Sequence, residues 1–387
     1  MNEPMPLETP SSTSFAELDT PCLLLDEQKM ERNIARLRAR LQPMNVTLRP
    51  HLKTAKSIEV ARRLMDTPAG PATVSTLREA EAFADAGVKD ILYAVGIAPG
   101  KIARVLALHR RGIDVTVVLD NIAQARAVVA ASTPELPVPV LIEIDSDDHR
   151  AGVRPEDPVL TQIGELLHRG GARLRGVMTH AGGSYDSRNK EQLIEAAEQE
   201  RASVVRAAQR LRAAGLPAPV VSVGSSPTAH FARDLTGVTE VRAGVFVFFD
   251  LVMAGIGVCE IEDIAVSVLA TVIGHRADKR QIIVDAGWMA LSRDRGTSSQ
   301  PVDQGYGLVC DADGDPLDDL IVTNTNQEHG VLGMRTGSAR PLPALPVGSL
   351  VRILPNHACA TAAQHGGYVV ITNGRVAGTW PRIPAGW

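Results

Sequence analysis

Short runs of hydrophobic and β-branched residues alternate with helical patterns from residue 27 to about residue 250. Eight of these runs have the length and composition of strands, and they cover residues 46–53, 72–76, 90–95, 114–119, 140–145, 175–181, 220–225 and 240–245. Between them, apolar positions recur at helical spacing, as in residues 30–41, and glycines end the helices predicted at 77–87 and 232–237. Strands that alternate with helices are typical of parallel βα units. Eight such units predict a closed (β/α)8 TIM barrel.

After about residue 251 the pattern changes to strands joined by turns rich in Gly, Asp and Pro. These strands are predicted at 265–276, 280–287, 319–324, 349–355 and 367–381. The Asn373-Gly374 pair in the last run is typical of a hairpin turn. We therefore predict a disordered polar tail over residues 1–15, a barrel over 27–250, and an all-β domain that combines 16–26 with 251–387.

Length and charge fit this division and exclude some classes of function. A chain of 387 residues accommodates a barrel of about 250 residues plus a smaller domain. The net charge of −4 gives no basic surface for nucleic acid or an anionic membrane. No apolar run approaches the roughly 20 residues needed to span a bilayer, and the start of the chain lacks the pattern of a signal peptide. Widely spaced cysteines indicate reduced thiols and a cytoplasmic location, and they are Cys22, Cys259, Cys310 and Cys359.

The first predicted barrel strand ends in the sequence Pro50-His51-Leu52-Lys53-Thr54. Barrel enzymes carry their chemistry at the C-terminal ends of the strands, so we expect Lys53 at the mouth of the barrel. A lysine among apolar neighbours gives up its proton more easily than one in water, which suits Schiff-base chemistry. From the residue alone, a lysine that only extends its amine to solvent is an equally good interpretation.

A second group with chemical potential is His357-Ala358-Cys359. If these residues form a strand, the imidazole and the thiol face the same side and can bind one metal ion. A nitrogen and a sulfur ligand favour zinc or a similar ion over magnesium. From the spacing alone, a buried histidine beside an inert cysteine is the commoner interpretation.

The order of several motifs resembles the fold-type III pyridoxal-phosphate enzymes, which form the alanine racemase group. PHLKT on the first barrel strand, followed by VSTLREAEAF, carries this resemblance. Further motifs are similar to the branch that contains the D-serine dehydratases, D-threonine aldolases and D-threo-3-hydroxyaspartate dehydratases, and they are DDHRAGV, MTHAGGSY, VGSSPT, EVRAGV, VDAGW, NQEHG and PNHACAT. The resemblance extends from about residue 19 to the C-terminus.

The resemblance implies that pyridoxal 5′-phosphate is the cofactor and that Lys53 holds it covalently. It also implies that Arg242 binds the pyridine nitrogen, that His180 supports this arginine, and that Arg150 lies near the phenolic oxygen. An arginine at the pyridine nitrogen keeps that nitrogen unprotonated, which makes the ring a weaker electron sink than one paired with a carboxylate.

The resemblance further assigns the phosphate group of the cofactor to Ser225, Ser226 and the backbone of Gly244 and Val245. Small residues let backbone N–H groups approach an anion, and the start of a helix after Ser226 adds its dipole. Relatives often carry a tyrosine two residues after this glycine, where this chain has Phe246. Any hydrogen bond made by that hydroxyl is therefore missing here.

For the second group, the resemblance implies that His357 and Cys359 bind a divalent ion such as zinc, manganese or cobalt beside the cofactor. Dehydratases of the family carry His-x-Cys at this place, whereas aldolases carry His-x-Asp. Tyr185 is expected to close over the substrate. Four more residues are expected near the substrate, although each is equally compatible with loop packing, and they are Asp285, Gln327, Glu328 and His329. A homodimer with sites near its interface is also implied.

A cofactor that activates the α-carbon and a metal that binds a β-hydroxyl together require a D-3-hydroxy-α-amino acid. Two reactions are possible, namely elimination to an oxo acid and ammonia, or retro-aldol cleavage to glycine and an aldehyde. The His-x-Cys pair favours elimination, with D-threo-3-hydroxyaspartate or D-serine as substrate, and D-threonine aldolase is the alternative. A racemase is disfavoured because the sequence lacks a matching tyrosine motif. A non-enzymatic pyridoxal-phosphate carrier would lack the β domain.

Overall fold

The computed structural model describes residues 14–384 and 386–387. Strand β1 (Cys22–Asp26) precedes the barrel. All eight predicted barrel strands are present, and they are β2 (Thr47–Leu48), β3 (Ala72–Val74), β4 (Asp90–Gly96), β5 (Asp114–Leu119), β6 (Pro139–Ile144), β7 (Arg173–Thr179), β8 (Val220–Val223) and β9 (Glu240–Val241). Strand β2 is much shorter than the predicted run, because the chain turns at residues 51–55.

These eight strands form a parallel ring. Their order is β2-β9-β8-β7-β6-β5-β4-β3, and every named pairing between them is parallel. A parallel bridge between His51 and Thr73 closes the ring, with Leu52 N donating to the Thr73 carbonyl and Thr73 N to the Pro50 carbonyl, each at 2.8 Å. The predicted (β/α)8 barrel is thus confirmed.

Eight helices alternate with the barrel strands along the chain, and they are α1 (Glu27–Leu41), α2 (Ile58–Leu64), α3 (Leu77–Asp85), α4 (Ile102–Arg110), α5 (Ile122–Ala131), α6 (Val159–Arg169), α7 (Lys190–Ala213) and α8 (Ser226–Phe231). Helix α3 begins where the Thr76 side chain accepts a hydrogen bond from Glu79 N, and it buries Leu77, Ala80 and Phe83. The helix predicted at 232–237 is wrong. Ser225 caps a helix that starts earlier and that ends at Phe231.

The remaining strands form an all-β domain, and they are β10 (Val266–Arg276), β11 (Gln281–Val284), β12 (Leu308–Cys310), β13 (Pro316–Thr325), β14 (Gly330–Met334), β15 (Leu350–Leu354), β16 (Gly367–Thr372) and β17 (Arg375–Pro381). Strand β1 lies between β10 and β16 in the same nine-stranded sheet. Three short helices connect these strands or join them to the barrel, namely α9 (Leu251–Gly255), α10 (Trp288–Leu291) and α11 (Ala358–Ala362). The predicted hairpin joins β16 to β17, with φ of 53° at Asn373 and 73° at Gly374.

The start of the chain differs in part from the prediction. Residues 1–13 of the predicted tail lie outside the described residues. Ser14 caps a single 3₁₀ turn at Phe15–Glu17, and Phe15 packs against Leu24 and Leu269 of the β sheet. The guanidinium of Arg352 lies 4.7 Å from the centre of the Phe15 ring. Phe15 therefore belongs to the folded β domain and not to the tail.

The β domain supports the barrel turn that carries Lys53. The Tyr368 hydroxyl and the Arg382 Nε both donate to the Ala55 carbonyl, at 2.6 and 3.0 Å. Tyr368 is fully buried and stacks edge-on against Phe248, with ring centres 5.5 Å apart. One continuous hydrophobic core runs through both parts of the chain. None of the helices in the described part of the chain is long and apolar enough to cross a membrane.

Candidate active site

A cavity of about 520 Å³ opens where the mouth of the barrel meets the β domain. The predicted cofactor residues line it with the single exception of Arg150, as do both predicted metal ligands and Tyr185. Residues from the two halves of the chain therefore face one enclosed space. Cavities of this size suit a cofactor together with a small substrate.

Lys53 lies in the turn after β2 and is half-buried in the cavity wall. Within the described residues its amine has no hydrogen-bond or ion-pair partner, and only its backbone N–H donates, to His51 Nδ1 at 3.4 Å. Lys56, three residues later, is instead paired with the buried carboxylate of Glu79 at 3.0 Å. Of the two lysines in this turn, Lys53 is the one whose amine is available for chemistry.

Arg242 follows β9 and is buried in the floor of the cavity. Its Nε donates to Ser222 Oγ at 2.8 Å, and its terminal nitrogen donates to the Thr179 carbonyl. The guanidinium is thus fixed, but not by His180 as the resemblance implies. His180 instead shares a hydrogen bond of 2.6 Å between its Nδ1 and the Gly224 carbonyl.

His180 is a neutral imidazole inside the cavity. Burial lowers its pKa to about 3, and the nearby charge of Lys53 adds to this effect. Its ring centre lies 6.4 Å from that of Tyr185. Burial also raises the pKa of Tyr185, so its phenol stays protonated near neutral pH. Neither ring carries charge in the cavity.

The loops after β8 and β9 lie side by side in the cavity wall. Ser225 Oγ accepts from Thr228 N at 3.2 Å, and Ser226 Oγ accepts from Phe246 N at 3.1 Å, while the O–H group of Ser226 donates to no acceptor within the described residues. Gly224 has a φ of 152°, and a Cβ there would lie 1.7 Å from the Arg242 carbonyl oxygen. Only glycine allows these two backbones to approach so closely.

Glu200 on α7 connects two of these loops, and no motif singled it out. Its Oε1 accepts from Ala181 N at 3.1 Å and from Gly224 N at 2.9 Å, and the side chain is buried. Burial raises the pKa of this carboxyl. In the sequence Glu200 is one of several acidic residues on a long charged helix, and nothing there distinguishes it from the exposed ones.

His357 and Cys359 are not on a strand, which corrects the prediction. Strand β15 ends at Leu354, and His357 is the N-cap of α11. The Asn356 amide donates to the carbonyls of Asp294 and Gly305, at 3.1 and 2.7 Å, and this pulls the chain away from the sheet. The first turn of α11 then brings Cys359 beside His357.

Each member of this pair has a partner elsewhere in the chain. His357 Nδ1 lies 2.8 Å from Asp294 Oδ2, and a hydrogen bond of 3.2 Å joins Cys359 Sγ to Thr54 Oγ1. Burial by itself lowers the pKa of His357, but Asp294 and Cys359 outweigh it and raise this pKa to about 11. Burial by itself raises the pKa of Cys359, and the contact with His357 lowers it below the usual range. The thiolate is the form in which cysteine binds a metal.

His357 and Cys359 offer an ion two protein ligands. No cluster of three or more His, Cys, Asp or Glu side chains that could hold a metal occurs in the described residues. An ion at His357 and Cys359 would therefore keep positions open for water or substrate, as catalytic metal sites do. Asp294 and Thr54 are far from this pair in the sequence, so spacing could not reveal them.

Several predicted residues lie outside the cavity of this chain. The half-exposed Arg150 pairs with Glu143 at 3.3 Å. Asp285 accepts from Thr20 Oγ1 at 2.6 Å and from Thr271 N at 2.8 Å, so it serves the β sheet. The exposed turn between β13 and β14 contains the other three, Gln327, Glu328 and His329. These five residues therefore lie away from the cavity of this chain, since Arg150 pairs with a barrel strand, Asp285 bonds within the β domain, and the other three are in an exposed turn.

The sequence matches two known domains. Residues 25–252 match the alanine racemase N-terminal domain, and residues 265–371 match a putative serine dehydratase domain. The chain is 54% identical over 374 residues to the D-threo-3-hydroxyaspartate dehydratase of Delftia sp. (strain HT23), and the alignment covers 96% of this chain and 98% of that protein. The solved structure of that dehydratase superposes with a TM-score of 0.93, at 52% identity, over 96% of this chain and 99% of that one.

More distant relatives differ in activity. The D-serine dehydratase of Dictyostelium discoideum is 31% identical, over 92% of this chain and 94% of that protein. The D-threonine aldolase from Filomicrobium marinum superposes with a TM-score of 0.78 at 27% identity, over 95% and 96% of the two chains. Another similar structure is a cysteine-to-alanine mutant of D-threo-3-hydroxyaspartate dehydratase in the metal-free form. This chain therefore belongs to the alanine racemase-like family, in the branch that joins the racemase N-terminal domain to a serine dehydratase domain.

Proposed function

We propose that this protein is a pyridoxal-phosphate- and divalent-metal-dependent lyase of D-3-hydroxy-α-amino acids. The leading activity is dehydration of D-threo-3-hydroxyaspartate to an oxo acid and ammonia. One observation carries the proposal, namely that the His357–Cys359 pair lines the same cavity as the Lys53 amine, which has no partner among the described residues. An amine and a hydroxyl of one small substrate could therefore be handled at the same time.

The barrel side of the cavity suits pyridoxal phosphate. Lys53 would hold the cofactor covalently, Arg242 would hold the pyridine nitrogen, and the backbone beside Gly224 and Gly244 would hold the phosphate. When bound, the cofactor withdraws electrons from the α-carbon of the substrate. Lys53 Nζ would take the proton from that carbon, and His180 would not compete for it because its pKa is about 3.

The β-domain side of the cavity suits a divalent ion. His357 offers a ring nitrogen and Cys359 a sulfur, a set that favours zinc or cobalt, with manganese as a further candidate. Such an ion acts as a Lewis acid toward a hydroxyl group. A cysteine-to-alanine mutant of a D-threo-3-hydroxyaspartate dehydratase has a metal-free form, which supports a metal in this branch.

The cavity also offers a cation for a second carboxylate. Arg188 lines the mouth of the cavity, and within the described part of the chain its guanidinium makes no ion pair or hydrogen bond. Of the other cationic groups of the wall, Arg242 is held by two acceptors, His357 is paired with Asp294, and Lys53 would hold the cofactor. The mouth carries one exposed acid, Asp186. An unpaired arginine favours a dicarboxylate such as 3-hydroxyaspartate over D-serine.

The D-threonine aldolase reaction is the second candidate, because an aldolase shares this fold over nearly the whole chain. Both reactions require the lysine-bound cofactor and the metal ion, so the fold does not distinguish between them. The 54% identity to a dehydratase supports elimination. A homodimer and a cytoplasmic location complete the proposal, and the exposed turn with Gln327 and His329 is available for contact with a second subunit.

Chelation tests whether the metal ion is needed in addition to the cofactor. EDTA should abolish most of the lyase activity while the visible absorbance of the lysine-bound cofactor persists, and added Zn²⁺ should restore turnover. A Lewis acid contributes several kcal/mol at a leaving hydroxyl, and each tenfold in rate is about 1.4 kcal/mol, so the loss should be orders of magnitude. Cys359→Ala should behave like chelation, whereas Cys310→Ala, at a buried cysteine outside the cavity, should keep full activity. Full activity after chelation on every D-3-hydroxy-amino acid would contradict the proposal.

A further inference from the structure

Asp294 lies in the loop that follows α10, and its carboxylate faces the imidazole of His357. Oδ2 lies 2.8 Å from His357 Nδ1, while Oδ1 accepts from Gly296 N at 2.8 Å. The Asp294 side chain is only 29% exposed. Each carboxylate oxygen thus has one partner, Oδ1 the backbone of its own loop and Oδ2 the histidine ring.

The loop itself is tied to the segment that carries the histidine. The Asn356 amide, next to His357, donates to the Asp294 carbonyl at 3.1 Å. On the other side, Asp294 N donates to Ser292 Oγ at 3.3 Å, and Ser292 has a φ of 72°. Residues with a side chain rarely adopt such a φ, so the surrounding contacts hold the loop in this path. Asp294 and His357 therefore form one connected unit.

This contact decides which ring nitrogen is left for a metal. Because Nδ1 is committed to Asp294, Nε2 is the nitrogen that remains for an ion shared with Cys359. A carboxylate at Nδ1 keeps the proton there, fixes the ring orientation and makes the opposite nitrogen a stronger ligand. On the other ligand, the Cys359 thiol donates to the buried Thr54 Oγ1 at 3.2 Å, and once the thiol loses its proton the Thr54 hydroxyl can donate to the thiolate over the same distance.

We propose that Asp294 is a positioning residue that sets the tautomer and orientation of His357 for metal binding, and that Thr54 does the same for the thiolate of Cys359. This inference rests on the proposed function, because it assumes that the pair binds a divalent ion. The barrel, through Thr54, would fix Cys359, and the loop after α10, through Asp294, would fix His357.

The test is the dissociation constant for Zn²⁺, measured on cofactor-loaded protein by competition with a chromogenic chelator. Asp294→Asn should weaken Zn²⁺ binding by about 10- to 100-fold, the usual effect of losing such a partner. The absorbance of the lysine-bound cofactor should stay unchanged. Asp303→Asn is the matched control, since Asp303 lies in the same loop and pairs with Arg295 away from the histidine. Its Zn²⁺ affinity should equal that of the wild type.

Thr54→Val should weaken Zn²⁺ binding in the same direction, and Thr73→Val is its control. Both threonines are fully buried, but Thr73 Oγ1 has no hydrogen-bond partner within the described residues. If Asp294→Asn does not fold, Asp294→Glu, which keeps the charge, serves instead and should bind Zn²⁺ more weakly than wild type, because its longer side chain shifts the carboxylate. Wild-type affinity in the Asp294 variant would overturn the inference and leave the proposed function intact. Failure of the wild type itself to bind Zn²⁺ would overturn both.

Discussion

At the scale of single residues, the partners of a side chain determine which chemistry it can perform. Lys53 and Lys56 lie in one turn, yet Lys56 is neutralised by the buried Glu79 and Lys53 is not. His180 and His357 line one cavity, but burial lowers the pKa of the first to about 3 while Asp294 helps to raise that of the second to about 11. The pKa values of two histidines in one cavity thus lie far apart, because their neighbours differ.

Lys53→Ala should abolish the absorbance of the lysine-bound cofactor and most of the turnover, because no other unpartnered lysine of the described chain lines the cavity. Absorbance spectra before and after borohydride reduction measure this directly. Lys56→Ala is the matched control, and it should keep the cofactor but lower stability by leaving the Glu79 carboxylate buried and unpaired. A cofactor still bound covalently in Lys53→Ala would contradict the assignment.

Arg188→Gln should raise the KM for D-threo-3-hydroxyaspartate by about tenfold to a hundredfold, since a charge-assisted hydrogen bond contributes about 1.5–3 kcal/mol. The KM for D-serine, which has no second carboxylate, should change much less. Arg233→Gln, at an exposed arginine outside the cavity, controls for the loss of positive charge. An equal rise in KM for both substrates would contradict this assignment, because Arg188 would then not recognise the second carboxylate.

At the scale of elements, the barrel was predictable because each strand is a compact hydrophobic run with a helical pattern after it. The sequence also identified the hairpin at Asn373-Gly374, where local geometry requires specific residues. The sequence-based prediction failed after Pro355, where the spacing of His357 and Cys359 suggested a strand. The Asn356 amide instead bonds to the carbonyls of Asp294 and Gly305 and holds the chain away from the sheet. Long-range hydrogen bonds decide such a segment, and no local pattern encodes them.

The same limitation explains the misplaced and missed parts of the site. Motifs identified the cavity wall from Lys53 to Cys359, because those residues sit at the ends of recognisable strands or in ordered motifs. Asp285 belongs to a motif too, but its carboxylate is used by Thr20 and Thr271. Glu200 and Asp294 were missed, since their importance comes only from groups brought close by folding.

At the scale of the whole molecule, buried neutral histidines link stability to pH. Burial lowers the pKa of His230 from its ordinary 6.5 to about 4, with Arg36 and Arg40 adding to the effect. The unfolded chain therefore binds this proton first as the pH falls. The contribution is fully present above pH 6.5 and is lost between pH 6.5 and 4, at about 1.4 kcal/mol per pH unit. His180 acts in the same direction.

Urea denaturation of the wild type and of a His230 variant between pH 4 and 6.5 isolates this contribution, because the raised pKa of the buried Asp250 acts in the opposite direction and is common to both proteins. His230→Gln removes one titrating group and keeps an amide near the Ser226 carbonyl, which His230 Nδ1 contacts at 2.8 Å. The variant should show a shallower decline below pH 6.5 than the wild type. Identical slopes for both proteins would show that His230 titrates normally in the fold.

The identity of the reaction products tests the central claim most directly. Purified protein loaded with pyridoxal phosphate and Zn²⁺ should be incubated with D-threo-3-hydroxyaspartate, D-serine and D-threonine, and ammonia, oxo acid, glycine and aldehyde should be measured for each. Dehydration predicts equal amounts of ammonia and oxo acid, fastest with D-threo-3-hydroxyaspartate, and no glycine. Release of glycine and an aldehyde in place of ammonia would contradict the dehydratase assignment and establish an aldolase.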